Sequence, residues 1–335
     1  MLIVSKVFHK GYSKNMIQIL IILVALIIGY ALFINRIKVL PPGPPPLPVL
    51  GNLLQLEEEL DKKLLAWKQK YGKVFTVWMP QPTIIIADSQ VLQESIVKDG
   101  DKYGDRSSPE ILMNMISGAN YGLVFNDNHM WKEQRRFALH SLRDVGYLSS
   151  ALQETAKDYA QEAVARWKKE GANGTPVDVS NNILAAVANI IWQLAFGRTL
   201  SFDDPKLVEV KRLITENFKS LRHPIMPFLE IFPWIRHIDS FVGSPIKALI
   251  SSTDKLIDIM QNEIDACEKQ LNIDEPSRCY VDSYLIEMKK REHKGEPLGT
   301  FTREQLKFAS FDLWSAGLET TMTTLRFAIY YLMTN

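Results

Sequence analysis

The residues best suited to chemistry lie in one apolar stretch near the end of the 335-residue chain, Phe308 to Phe327, FASFDLWSAGLETTMTTLRF. A glycine, an acid and two β-branched threonines interrupt a helical pattern there, and each of them weakens a helix. Gly317 costs about 1 kcal/mol relative to alanine, and Thr320 and Thr321 add smaller penalties through restricted rotamers. What such a helix gains is local space. Gly317 has no side chain, Thr320 follows three residues later on the same face, and its hydroxyl can donate to the carbonyl four residues back and distort the ladder. A small ligand and a water fit such an opening, and Glu319 would carry protons to a reaction that consumes them at a buried centre. The same residues also suit a tight helix crossing, with Glu319 facing solvent.

A second constellation is Trp131-Lys132-Glu133-Gln134-Arg135-Arg136, in which Trp131 and Arg135 share a helical face. The arginine fork binds a carboxylate bidentately and the indole N–H adds a donor, so the pair could grip an acidic cofactor edge. Packing or surface stacking of the two side chains is the plainer reading.

Ala316-Gly317-Leu318-Glu319-Thr320-Thr321 resembles the oxygen-binding signature of the cytochrome P450 family, and Trp131-x-x-x-Arg135 is similar to its C-helix signature. The resemblance implies that Thr320 hydrogen-bonds dioxygen, that Glu319 helps relay protons, and that Ala316 and Gly317 border haem and substrate. Trp131 and Arg135 would contact a haem propionate. Arg106, in Tyr103-Gly104-Asp105-Arg106, matches a further propionate-binding arginine of the microsomal drug-metabolising branch; otherwise it is a solvated loop residue. By position, Ile111 to Phe125 would be the first substrate-recognition loop, with Val124 and Phe125 facing the pocket beside Ala316, where core packing is the alternative. The implied activity is that of a haem-thiolate monooxygenase. Such an enzyme inserts one oxygen atom of O2 into a hydrophobic small molecule (a xenobiotic, a steroid or a fatty-acid-like compound), with electrons from an NADPH-cytochrome reductase or a b-type cytochrome.

The family continues beyond this helix to a Glu-x-x-Arg helix and a glycine-bearing loop whose cysteine thiolate holds the iron. Glu133 to Arg136 and Glu209 to Arg212 fit the four-residue pattern, but both precede the oxygen-binding helix. Cys267 (Asp-Ala-Cys-Glu-Lys) and Cys279 (Ser-Arg-Cys-Tyr-Val) do not resemble the haem loop. With no metal ligand to name before Asn335, the expectation is a chain truncated before the ligand loop. The alternative is a haem-less, catalytically inactive membrane-bound interaction protein or an incomplete gene model.

The elements that must position these residues follow from periodicity. Met16 to Ile34 is an uncharged apolar run long enough to span a bilayer, so residues 1–38 are expected to carry an uncleaved single-pass anchor. Lys6, Lys10 and Lys14 before the span and Arg36 and Lys38 after it give conflicting orientation signals. Translation from Met16 would remove the conflict and leave the main domain in the cytosol at the endoplasmic reticulum. Residues 39–52 include PPGPPPLPVLGN, a stiff polyproline hinge or, failing that, a ligand for a proline-binding module. Residues 53–335 form the catalytic region. There the spacing predicts a helix over Glu57–Tyr71 ended by Gly72, a hairpin of Lys73–Met79 and Thr83–Ala87 turned by Pro80 and Pro82, a short helix capped by Ser89, and a loop from Gly100 to Gly122. Further helices are predicted over Asn128–Leu142, Ser149–Glu170, Ser180–Phe196, Pro205–Lys219, Ser244–Leu271, Tyr280–Arg291 and Thr302 to the end. Pro224 to Val242 is apolar enough either to touch lipid or to pack beneath neighbouring helices. The fold class is therefore mainly α with a small N-terminal sheet, an α+β architecture of the P450 kind.

Composition narrows the partners. The chain is 46% hydrophobic and carries a net charge of +1, which leaves no basic field for nucleic acid. Two cysteines rule out a disulfide scaffold, and six scattered histidines supply no zinc site.

Overall fold

The computed structural model describes residues 18, 21, 29, 39–47, 50–56, 59–79, 81–105, 110–117, 121–126, 128–147, 149–230 and 232–335. The expected anchor lies outside the described residues except at Gln18, Ile21 and Gly29, and so do the flanking lysines, Met16 and Arg106. No helix among the described residues is long and apolar enough to cross a membrane. The chain divides into two compact units, Met1–Tyr103 and Gly104–Asn335.

In the first unit, helix α1 (Leu60–Tyr71) packs on a hairpin of β1 (Val74–Met79) and β2 (Gln81–Ile86), around Trp67, Phe75 and Val77. Gly72, at φ 98°, ends α1 and donates its N–H to the Lys68 carbonyl at 2.9 Å. The hairpin turns more tightly than predicted, because Pro82 sits inside β2 opposite Trp78. The missing proline donor costs no ladder bond there, since Trp78 turns its own backbone the other way. Its N–H reaches Asn52 Oδ1 at 2.8 Å and its carbonyl accepts from the Asn52 N–H at 2.7 Å. Thr76 likewise donates its N–H to the Pro42 carbonyl (3.0 Å) and its hydroxyl to that of Pro41 (2.8 Å). The proline-rich stretch is thus tied along the free edge of β1. The following helix α2 (Ser89–Leu92) is capped by Asp88, which accepts from Gln90 and Val91 (3.1 and 3.2 Å), and not by the expected Ser89.

The second unit is helical: α3 (Glu110–Ile116), α4 (Asn128–Asp144), α5 (Ser150–Glu170), α6 (Ser180–Phe196), α7 (Pro205–Leu221), α8 (Met226–Leu229), a 3-10 segment (Pro233–Val242), α9 (Pro245–Lys269), α10 (Tyr280–His293) and α11 (Arg303–Thr334). The long helices lie where the periodicity puts them. Helix α3 is the exception, inside a stretch read as loop. Its first N–H groups are satisfied by Glu230, far away in sequence, at 3.0 and 2.9 Å from Ile111 and Leu112. Pro224 to Val242 packs beneath its neighbours as one reading had it: Met226, Leu229 and Ile235 are buried with Leu112, Ile246 and Leu249, while Trp234 and Phe241 are exposed.

Helix α6, apolar nearly all round, is the centre of the unit. Helices α5, α7, α10 and α11 pack on it. One carboxylate is buried beside it. Glu263 of α9 is 1% exposed and accepts from Trp192 Nε1 (3.2 Å), Lys206 Nζ (2.8 Å) and Arg198. Burial alone would raise this carboxyl, but the hydrogen bonds from Arg198 and Lys206 outweigh it and hold the group below its ordinary range. Glu263→Ala leaves the Trp192 donor unsatisfied in the core, so the stability measured by urea unfolding should fall by about 2–4 kcal/mol. Because the folded value is depressed, Glu263 stabilises fully above its ordinary value of 4.5 and less as pH falls below it. The Ala variant should therefore lose less stability on acidification than the parent.

Candidate active site

The site is built on α11. Thr302 caps the helix, its hydroxyl accepting the Gln305 N–H at 3.1 Å. Leu306, Ala309, Trp314, Leu318 and Met322 mark the buried face, which packs on α6. Gly317 belongs to this packing. A Cβ at that position would come 2.9 Å from Ile191 Cδ1, so the space expected beside Gly317 as a ligand opening is occupied by α6.

The opposite face is bare. Ala316, Thr320 and Thr324 are exposed, and the helix runs unbroken through them. The Thr320 hydroxyl donates to the Ala316 carbonyl at 2.6 Å, the back-bond that the spacing predicts. Glu319 points elsewhere: it accepts from the Thr323 hydroxyl at 3.4 Å and lines a cavity of about 430 Å³ with Lys211, Lys219, Arg222 and Arg326. No direct hydrogen bond joins it to Thr320 among the described residues.

The substrate-loop candidates are held by two α11 side chains that sequence reasoning missed. Gln305 accepts the Gly122 N–H and donates to the Gly122 carbonyl, each at 2.9 Å. Asp312 Oδ2 accepts the N–H groups of Leu123 and Val124 at 2.5 and 2.9 Å. Gly122 has φ 89°, and a Cβ there would fall 2.3 Å from the Asp312 carboxylate, so backbone conformation and close approach both demand glycine. Burial pushes the Asp312 carboxyl up to about 6, against the opposing pull of the two N–H donors. Anchored this way, Val124 and Phe125 are exposed rather than packed in the core. The one available signal was an acid inside an apolar helix, one turn before Ala316.

Helix α4 supplies the third part. Gln134 Nε2 donates to Thr300 (2.9 Å to Oγ1), and Phe137 meets Phe301 edge-on with ring centroids 5.0 Å apart, so α4 is fixed beside the start of α11. Glu133 bonds Arg291 of α10 at 3.2 Å, whereas Glu209 and Arg212 form an ordinary pair on one helix at 2.8 Å. Arg135 stacks its guanidinium over the Trp131 ring at 5.3 Å. Arg166, Arg212, Arg278, Arg291 and Arg303 each grip a carboxylate. Among the described residues no carboxylate pairs with Arg135. A free fork beside an indole donor is the donor set that a haem propionate requires, so the residues present fit that group.

The cytochrome P450 family model matches residues 41–335. The probable cytochrome P450 CYP36A1 of Caenorhabditis elegans is 32% identical over 319 residues, covering 95% of this chain and 64% of the relative. Cytochrome P450 2C7 of Rattus norvegicus is 30% identical, covering 89% and 59%. Cytochrome P450 2C16 of Oryctolagus cuniculus is 31% identical, covering 88% and 58%. The chain spans about three fifths of the length of the curated relatives it matches.

The clamp on Gly122–Val124 makes a prediction with a definite sign. A carboxyl raised from 3.8 to about 6 binds a proton in the folded state that the unfolded chain has released, so its contribution to stability is lost as pH rises from about 4 to 6. Asp312→Asn should flatten the pH dependence of the thermal midpoint in that window. Asp312→Ala strands two N–H donors and should cost about 1–3 kcal/mol, with faster amide exchange confined to 121–126.

Proposed function

The chain belongs to the cytochrome P450 family, and on that premise we propose that it forms the haem-propionate and oxygen-side part of a haem-thiolate monooxygenase acting on a hydrophobic small molecule. The carrying observation is the unpaired Arg135 fork stacked on Trp131. When bound, haem supplies the iron centre at which dioxygen is reduced and one oxygen atom is transferred to substrate.

In this reading Trp131 and Arg135 hold a propionate, with Arg106 as a second donor. Ala316 leaves room for a flat ring and a substrate beside it, and Val124, Phe125 and Ala316 present an apolar wall that excludes water. Thr320 holds a proton at Oγ1. Its hydroxyl is committed to the Ala316 carbonyl, and turning it outward gives up one hydrogen bond, about 1 kcal/mol. Glu319 lies on the neighbouring side of the helix, so a proton passing from its carboxylate to Thr320 travels through an intervening water. Residues 16–34 anchor the chain in the endoplasmic reticulum membrane, residues 39–52 form the hinge, and residues 53–335 face the cytosol, where an NADPH-cytochrome reductase or a b-type cytochrome delivers electrons. The uncharged apolar run and the family membership support this placement.

The test is haemin titration of the purified chain, followed by the Soret band and by tryptophan quenching. Arg135→Ala should weaken binding about tenfold or more, the loss of a charge-assisted pair, while Arg136→Ala leaves it unchanged. Equal affinity in all three proteins overturns the propionate assignment, and no binding by the parent favours a haem-less interaction protein. In protein that turns over substrate, Thr320→Ala should lower product formation at least ~10-fold while oxygen consumption continues.

A further inference from the structure

The chain's two cysteines, twelve residues apart, meet where α9 gives way to α10. Cys267 lies near the end of α9, Cys279 is the N-cap of α10, and both are buried. Their sulfurs and a carboxylate oxygen of Asp282 lie within 4.8 Å of one another. The Cys267 thiol donates to the Phe196 carbonyl at 3.3 Å. Cys279 Sγ also accepts the Asp282 N–H at 3.4 Å.

Asp282 is not available as a metal ligand. Arg278 binds both of its oxygens, Nε to Oδ2 at 2.7 Å and Nη2 to Oδ1 at 3.1 Å. What remains is a pair of sulfurs within 4.8 Å of each other, beside the Arg278 guanidinium. We propose that Cys267 and Cys279 form a reversible intrachain disulfide that staples the start of α10 to the end of α9.

The oxidant is a peroxide. The Cys267 thiolate attacks one peroxide oxygen and the O–O bond breaks, giving a sulfenic acid and, after protonation, one water. The Cys279 sulfur then displaces the hydroxyl, the S–S bond forms as the S–O bond breaks, and a second water leaves. Two thiols lose two electrons and hydrogen peroxide is reduced to two waters. The Cys267 thiol is lowered by the hydrogen bond from Cys279, against burial, which suits it to the first step. The Cys279 thiol is raised by that same bond and by burial. The connection between the two helices, residues 272–276, is exposed to solvent. The far end of α10 carries Arg291, the partner of Glu133 on α4, so the staple fixes the helix that braces the Trp131–Arg135 segment.

The purified chain is incubated with hydrogen peroxide, unfolded, alkylated and analysed by peptide mass spectrometry. The expected product is one intrachain link between the Cys267 and Cys279 peptides, two hydrogens lighter than the thiols, reversed by dithiothreitol and absent from Cys279→Ser. The linked protein should melt about 5 °C higher. Full alkylation of both cysteines after treatment, separate sulfinic acids, or links between chains would overturn the proposal, and a linked protein that melts no higher would overturn the stapling.

Discussion

One contact organises the second unit: α11 buries one side against α6. Gly317 lies in that contact. With no side chain it lets Ile191 of α6 come so close that even a methyl group would collide, and Trp192 and Trp314 meet edge to face beside it, ring centroids 5.8 Å apart. The residues flanking Gly317 then fall on opposite sides. Leu318 is fully buried and Ala316 is exposed. Glycine here is a packing device that sets how closely α11 approaches α6.

Much of this was legible in the sequence, for identifiable reasons. The long helices declare themselves through 3.6-residue periodicity and their caps, and the Thr320 back-bond follows from a hydroxyl four residues beyond a carbonyl. Side-chain direction was harder. Glu319 adjoins Thr320 in the chain, yet successive helical residues point about 100° apart, and the carboxylate went to the cation-lined cavity. Helix α3 and the Asp312 clamp were invisible because each depends on one acid meeting backbone N–H groups more than a hundred residues away. Pattern reading registers neighbours along the chain; it has no access to such partners. The cysteine pair was missed for a different reason: the twelve residues from Cys267 to Cys279 do not say that the two helix ends return to one point.

Glu263 and Asp312 show two outcomes for a carboxylate that accepts hydrogen bonds within the unit, one buried and one partly buried. Glu263 meets two cations and an indole donor, and its ionised form is the stabilised one. Asp312 has two backbone amides and no cation, which is insufficient against burial, so its carboxyl is raised. The first arrangement suits a core that must stay shut. The second holds a loop more weakly and makes that hold responsive to protonation, which fits a segment carrying exposed Val124 and Phe125.

Arg135 gains its meaning from what surrounds it. On α4, Glu133 is already engaged by Arg291 and Thr300, and Gln134 by Thr300, so the neighbouring polar groups turn toward α10 and the start of α11. Arg135 is left with an aromatic ring and solvent. Stacking on Trp131 orients the guanidinium without using its N–H donors, which lie at the edge of the plane while the ring takes the face. An arginine held by its face, with its edge donors engaged by no carboxylate among the described residues, can take an anion there. Gly317, by contrast, is occupied by packing against Ile191.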